Sequence, residues 1–238
     1  MTQNHEALEL ISQAKSQARS ENLQKFLRSK LAIRATLAVI TLAVLFSGFA
    51  VFQNVQQEKF SEILHQSLIN QQAGAIDKAK ENLKRIYEAK LAPNGVKSLA
   101  SLRYAALLLN DGKKMEAAKI YQKLNHCRSC DDYVQELGGL LAVRTWMSDE
   151  EEMKKEDLAA RIEKIENSSN ILRYYISEQR ALLEMHKNNL EKSYQIFEAI
   201  AKNPEGPQVV KARATDGLKM IAARGFEPKI ENKEASAN

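Results

Sequence analysis

The sequence predicts an all-α protein, with a single N-terminal transmembrane helix followed by an α-solenoid of about three to four helix pairs. Three observations carry this expectation. Gly and Pro are scarce, 9 and 4 in 238 residues, while Ala, Leu, Lys, Glu and Gln abound, which favours long helices over the turn-rich pattern of a sheet. An apolar run of 18 residues without a charge, an Asn or a Gln occupies 35–52. A helix–turn–helix stretch of 24 residues recurs once downstream. With 44 % hydrophobic and 27 % charged residues, the composition is that of a chain with a packed core and not of a disordered one.

Residues 1–34 read as a cytoplasmic, amphipathic basic segment with Leu8, Ile11, Leu23, Phe26 and Leu27 in the apolar positions. Up to residue 52 the charges are Lys15, Arg19, Lys25, Arg28, Lys30 and Arg34 against Glu6, Glu9 and Glu21, so this part holds +3 of the chain's net +5. Downstream, Lys and Glu alternate as on solvated helix faces. No basic stripe interleaved with stacking aromatics is present, so no nucleic-acid partner is expected.

The run "ATLAVITLAVLFSGFAVF" (35–52) spans roughly 27 Å as a helix, close to the thickness of a bilayer's hydrocarbon core, and Gln53 with Asn54 ends it. Lys25, Arg28, Lys30 and Arg34 cluster before it, and by the positive-inside rule the N-terminus stays in the cytoplasm. A buried core helix fits less well, because such helices keep one polar face. A cleaved signal peptide is the other reading, since "SGFA" ending at Ala50 has the small residues of a cleavage site, but the n-region would be unusually long. An uncleaved anchor in the inner membrane of a bacterium, with 53–228 in the periplasm, is the expectation.

Beyond the anchor, helices are predicted near 56–72 and 76–89, then, after "APNG" (92–95), near 97–110 and 113–125, with "DG" (111–112) supplying a left-handed residue. After "HCRSC" come 131–147 and 151–166, the second opened by Ser148 with Glu151 as a capping box. "NSSN" (167–170) breaks the chain before helices near 170–187, 190–202 and 207–224. Gly225 stands where a C-terminal cap belongs, and 229–238 reads as a disordered tail.

"SLRYAALLLNDGKKMEAAKIYQKL" (101–124) aligns without a gap on "SEQRALLEMHKNNLEKSYQIFEAI" (177–200): Ala105 meets Ala181, Leu107 meets Leu183, Ile120 meets Ile196, and Tyr121 meets Phe197. Gly112 and Asn188 share the turn position. The arrangement resembles the tetratricopeptide repeat, whose second-helix signature is matched by "AAKIY" (117–121) and "SYQIF" (193–197). The copies lie 76 residues apart, more than two 34-residue units, so the pair at 131–166 must be a longer, degenerate unit. The pair at 56–89, with Gly74 in its turn and Ala79 and Leu83 behind, is read as a fourth. A chance coincidence within an ordinary amphipathic bundle is the alternative.

A basic cytoplasmic segment, one anchor and an exported tetratricopeptide-like array together resemble the ancillary SecYEG translocon subunit family of Gram-negative bacteria, the YfgM type, in layout over most of the chain. In detail the resemblance rests on 99–124 and on about 176–221. It implies a periplasmic binding module beside the translocon, with translocon subunits, a membrane-anchored chaperone or prolyl isomerase, and exported chains as partners. The long segment 1–34 departs from the family pattern.

Stacked pairs expose a groove lined by their first helices. Projecting the repeat onto this chain turns Leu102, Ala106, Leu109, Asn110, Tyr175, Glu178, Leu182 and Met185 toward that groove as candidate partner-binding residues, or alternatively into the packing between repeats. Met185 suits irregular apolar partners.

No enzyme is expected, and no cofactor. The chain has no phosphate-binding Gly-rich loop with Lys, no G-x-S-x-G elbow and no H-E-x-x-H. His5, His65, His126 and His186 are scattered and read as surface side chains. The acidic run "DEEE" (149–152) reads as a helix start, where exposed N–H groups favour carboxylates.

Cys127 and Cys130 are the only cysteines. A redox C-x-x-C belongs to a thioredoxin-like strand–helix context that is missing here, and a zinc site would find at most three ligands locally with His126. An exported position makes a local disulfide at a repeat boundary the leading expectation, contributing about 2 kcal/mol by the chain-entropy model. Free thiols, redox and metal chemistry remain the alternatives.

Overall fold

The computed structural model describes residues 30–228; the predicted segment 1–29 and the tail 229–238 lie outside the described residues. Among these, ten helices and no strand are found: α1 (Lys30–Gln72), α2 (Ile76–Glu88), α3 (Asn94–Asn110), α4 (Lys114–Asn125), α5 (Asp132–Met147), α6 (Glu150–Met153), α7 (Leu158–Ser168), α8 (Arg173–His186), α9 (Leu190–Lys202) and α10 (Gln208–Ala223). The chain divides into two units, at Gln56 and Gln57.

In the first unit, α1 carries the apolar run, and its side chains from Leu37 to Phe52 face outward all round; Phe46 is 76 % exposed. The stretch Leu37–Gln72 is long and apolar enough to cross a membrane. The sequence predicts two helices here, 35–52 and 56–72, but α1 runs through both. "QNVQQ" (53–57) is polar without being a breaker, since it contains neither Gly nor Pro.

In the second unit the helices pack sequentially in adjacent pairs, α2 on α3, α3 on α4, α4 on α5, α7 on α8, α8 on α9 and α9 on α10. Three turns share one construction. At 73–75, 111–113 and 187–189 the middle residue takes a left-handed φ (Gly74 74°, Gly112 77°, Asn188 62°). The amide that follows reaches back five residues to a helical carbonyl: Ala75 to Asn70 at 2.8 Å, Lys113 to Leu108 at 2.8 Å, Asn189 to Glu184 at 2.8 Å. This Schellman closure satisfies the last carbonyls of one helix while reversing the chain.

Behind these turns the aligned residues perform the same packing. Ala105 and Ala181, and Ala117 and Ser193, are buried, letting each second helix approach its first. Ser193 Oγ also donates to the Ala181 carbonyl at 2.8 Å. Tyr121 and Phe197 fill the space behind. One core extends from Phe60 and Leu64 through Leu83, Tyr121, Trp146 and Ile162 to Ile176; a second gathers Ala181, Met185, Phe197, Val210 and Ile221, and Tyr175 packs against both.

The pair at 131–166 departs from prediction. A single helix from 151 with Ser148 as its cap is replaced by the one-turn helix α6 and then α7. Ser148 still has helical dihedrals as the C-cap of α5, so it is not in the extended geometry an N-cap needs. Asp149 is (φ −114°, ψ 116°), and its carboxylate accepts the Glu152 amide at 3.1 Å. Where the other pairs are joined by three residues, 148–157 intervene here, which accounts for the longer spacing of the two matching copies. The next helix also starts later than predicted, at Arg173, because the preceding loop is held by Glu136 of α5.

Two crossings of α5 depend on glycine. A Cβ on Gly138 would lie 2.8 Å from both Leu124 Cβ and the Tyr121 carbonyl oxygen of α4, and one on Gly139 would meet Ile165 of α7 at 2.7 Å. The Gly138–Gly139 pair therefore lets α5 lie in direct backbone contact with α4 and close against α7.

Candidate functional site

The first-helix candidates separate into three classes of environment. Ala106 and Asn110 are exposed on α3, while Leu102 and Leu109 are half-buried, their inner sides packed on the larger core. On α8, Tyr175 and Leu182 are likewise half-buried. Glu178 and Met185, by contrast, are buried at 5 % and 6 % exposure and offer no groove surface. The reason is α10, which packs over α8. Its Arg213 donates to both Glu178 oxygens at 2.5 and 2.6 Å and lies 5.8 Å from the Tyr175 ring centre. Met185 sits in the core that α10 closes. Nothing local in the sequence announces a partner 35 residues away.

The cysteines are joined by a disulfide across the loop between α4 and α5, with Cα atoms 5.4 Å apart. This loop is tied to the start of α3: Asn94 Nδ2 donates to the Ser129 carbonyl at 3.2 Å, and Ser98 Oγ lies 3.3 Å from Cys130 Sγ. The disulfide thereby forms one wall of a cleft of about 540 Å³ at the junction of α2, α3 and α4. Tyr87, Ile120 and Leu124 give it an apolar lining, and Lys97 and Lys123 bring two ammonium groups. Lys97 Nζ donates to the Ala89 carbonyl at 2.8 Å and Lys123 Nζ to the Tyr87 hydroxyl at 2.9 Å. Neither faces a carboxylate within ion-pair distance among the described residues. Glu88 at the rim is turned to Lys84, 3.8 Å away.

His65, His126 and His186 are exposed; His5 lies outside the described residues. Among the described residues, no three His, Cys, Asp or Glu side chains converge as a metal site. The acidic run is only in part a solvated helix start. Glu152 is buried and receives Lys155 Nζ at 2.5 Å and Arg161 Nη2 at 2.8 Å. Burial alone would raise its pKa, but those hydrogen bonds and charges outweigh burial and hold it below the ordinary value.

Sequence reasoning missed a set of such carboxylates. Glu136 accepts the backbone amides of Asn170 and Leu172 at 3.0 and 2.8 Å, fixing the entry into α8. Glu166 accepts Ser177 Oγ at 2.6 Å and pairs with Arg180 Nε at 2.9 Å. Glu184 receives Asn189 Nδ2 at 2.8 Å and Lys192 Nζ at 2.9 Å, which overcome the effect of its burial and hold its pKa low. Each ties its own helix to the start or body of a later one, and in sequence each looks like any surface Glu. Neither family models, curated proteins nor solved structures match this chain.

Proposed function

We propose that this chain is a non-enzymatic, membrane-anchored scaffold whose helical array binds other proteins, ancillary to the Sec translocon and to periplasmic chaperones. The observation that carries the reading is the regular side-by-side packing of helix pairs with a repeated turn. It supports a tetratricopeptide-like solenoid, an architecture whose first helices form an extended binding surface. On that surface Leu102, Leu109 and Leu182 keep part of their apolar area open beside exposed Ala106 and Asn110. Translocon subunits, a membrane-anchored chaperone or prolyl isomerase, and exported chains are the proposed partners.

The exposed apolar helix α1 supports a single-pass anchor, and the basic cluster before it supports a cytoplasmic N-terminus with the array in the periplasm. A Cys127–Cys130 disulfide suits that oxidising compartment. A reporter fused after Asn238, active only outside the cytoplasm, tests the topology; activity of a cytoplasm-only reporter there overturns it. A photo-crosslinking residue at Ala106 tests the surface. Adducts with translocon or chaperone subunits support the proposal, and an absence of protein adducts, with a control position on exposed Lys119 behaving identically, counts against it.

A further inference from the structure

The cleft beside the disulfide has a counterpart two helix pairs along. A second cleft, of about 350 Å³, lies at the junction of α7, α8 and α9 and is lined by Arg173, Tyr174, Ser177, Ile196, Ala199, Ile200 and Asn203. At the 76-residue offset of the two matching copies, these positions coincide with Lys97, Ser98, Ser101, Ile120, Lys123, Leu124 and Cys127, all of which line the first. The repeat therefore builds the same cleft twice, each with a basic residue at the start of a first helix (Lys97, Arg173), a serine one turn on, and an apolar floor from the following second helix. Arg173, like Lys97 and Lys123, has no carboxylate within ion-pair distance among the described residues; its guanidinium lies 5.2 Å from the Tyr174 ring centre and 3.4 Å from that hydroxyl. Glu166 in the second cleft is already answered by Arg180 and Ser177.

Between the two, at the corresponding junction of α4, α5 and α7, a third cleft of about 310 Å³ carries Asp132, Gln135 and Glu136 instead. Glu136 is spent on the backbone amides described above, which leaves Asp132 as the open charge. Along one edge of the array the open charges thus run basic, acidic, basic.

We propose that this edge binds an extended polypeptide segment that places a carboxylate and a neighbouring apolar side chain in each of the two basic clefts, with a neutral or basic stretch between them. The occupant follows from charge complementarity: the outer clefts join unneutralised cations to apolar floors, and Asp132 repels a continuous acidic run. Packed neighbouring helices lie about 8–10 Å apart, so Lys97 on α3 and Arg173 on α8, two first-helix steps apart by way of α5, are separated by about 20 Å, which about six residues of extended chain span. This deepens the protein-binding reading by naming a partner chemistry, but it uses a face other than that of Ala106 and Leu109.

The test measures fluorescence anisotropy of labelled peptides on the full chain in detergent micelles. Each peptide carries two Leu-Glu pairs separated by two, six or ten Ser/Gly residues, with an all-Glu peptide for comparison. Binding strongest at the intermediate spacing is expected, weakened about three- to fivefold by Lys97→Gln and again by Arg173→Gln, and unaffected by Lys78→Gln at the exposed start of α2, away from both clefts. Circular dichroism of each variant, expected to be unchanged, shows that the array stays folded. Failure of all peptides to bind, indifference to spacing, equal loss with Lys78→Gln, or equal displacement by single-stranded RNA or anionic lipid vesicles overturns the proposal. Leu109→Glu distinguishes the two readings: it removes capture by the first-helix face and leaves the peptide edge intact.

Discussion

Replacing Gly138 with Ala sets two effects of known size against each other. In the middle of a helix, Gly→Ala stabilises by about 1 kcal/mol through backbone entropy. At Gly138 the new Cβ would stand 2.8 Å from Leu124 Cβ and from the Tyr121 carbonyl oxygen, and 3.0 Å from the Asn125 amide nitrogen. Two of these three atoms belong to the α4 backbone, so no rotamer change can yield. Helix α4 must move off α5 by about half an ångström or more, across the crossing that holds Leu124, Leu140 and Val143 in the core. Overpacking of this kind costs about 1–3 kcal/mol, giving a net loss of up to about 2 kcal/mol and a fall in Tm of roughly 2–8 °C for an array of this length. Gly95→Ala is the matched control, because a Cβ there meets nothing within 4 Å. It carries a similar propensity gain, somewhat reduced in the first turn of α3, without the contact, and it should raise Tm slightly. Thermal melts followed at 222 nm on the full chain in detergent measure both. A Gly138→Ala protein stabilised over the parent as much as Gly95→Ala would refute the close crossing of α4 and α5.

Asn188 holds a left-handed φ without being Gly, so Asn188→Gly should raise stability by up to about 1 kcal/mol, whereas Gly112→Ala at the equivalent position should lower it by a similar amount; melts of the two variants must move in opposite directions. Glu152 and Glu184 have pKa values held below the ordinary 4.5. Their contribution is fully present above that pH and is lost as pH falls through 4.5 toward the folded-state values. Melting temperature should therefore drop below about pH 4.5, and less steeply in a Glu152→Gln, Glu184→Gln double variant that starts lower at pH 7; parallel pH profiles would sink the assignment. Non-reduced mass spectrometry of the protein should show a loss of two hydrogens across 127–130, and reduction with alkylation should cost about 2 kcal/mol; two freely alkylated thiols in the untreated protein would exclude the bond.

How legible each feature was depended on where its cause lies along the chain. Helix positions, the left-handed residues Gly74, Gly112, Asn188 and Gly225, and the buried set Ala105, Ala117, Ala181 and Ser193 could be read because they are set by neighbours within one turn or by the internal match of 101–124 with 177–200. Misreadings came from residues whose partners are distant. The exception is local: Ser148 closes α5 with helical dihedrals, so the extended residue after it, Asp149, takes the capping role. Glu178 and Met185 were buried by α10, whose Arg213 is invisible from α8. Gly138 and Gly139 look like helix breakers, yet they serve the opposite purpose at a crossing that no periodicity reveals. The clefts are a further case, because a cleft is a gap left by three helices and leaves no residue signature of its own. Their recurrence could be recognised only by laying the 76-residue offset over the structure, which shows that the repetition governing the core governs the surface beside it as well. In the intervening pair, where the sequence match is lost, the same cleft persists with its charge reversed. Helix packing therefore preserves the shape of this edge while its side chains vary, the separation of roles expected where one scaffold presents different chemistry at successive positions.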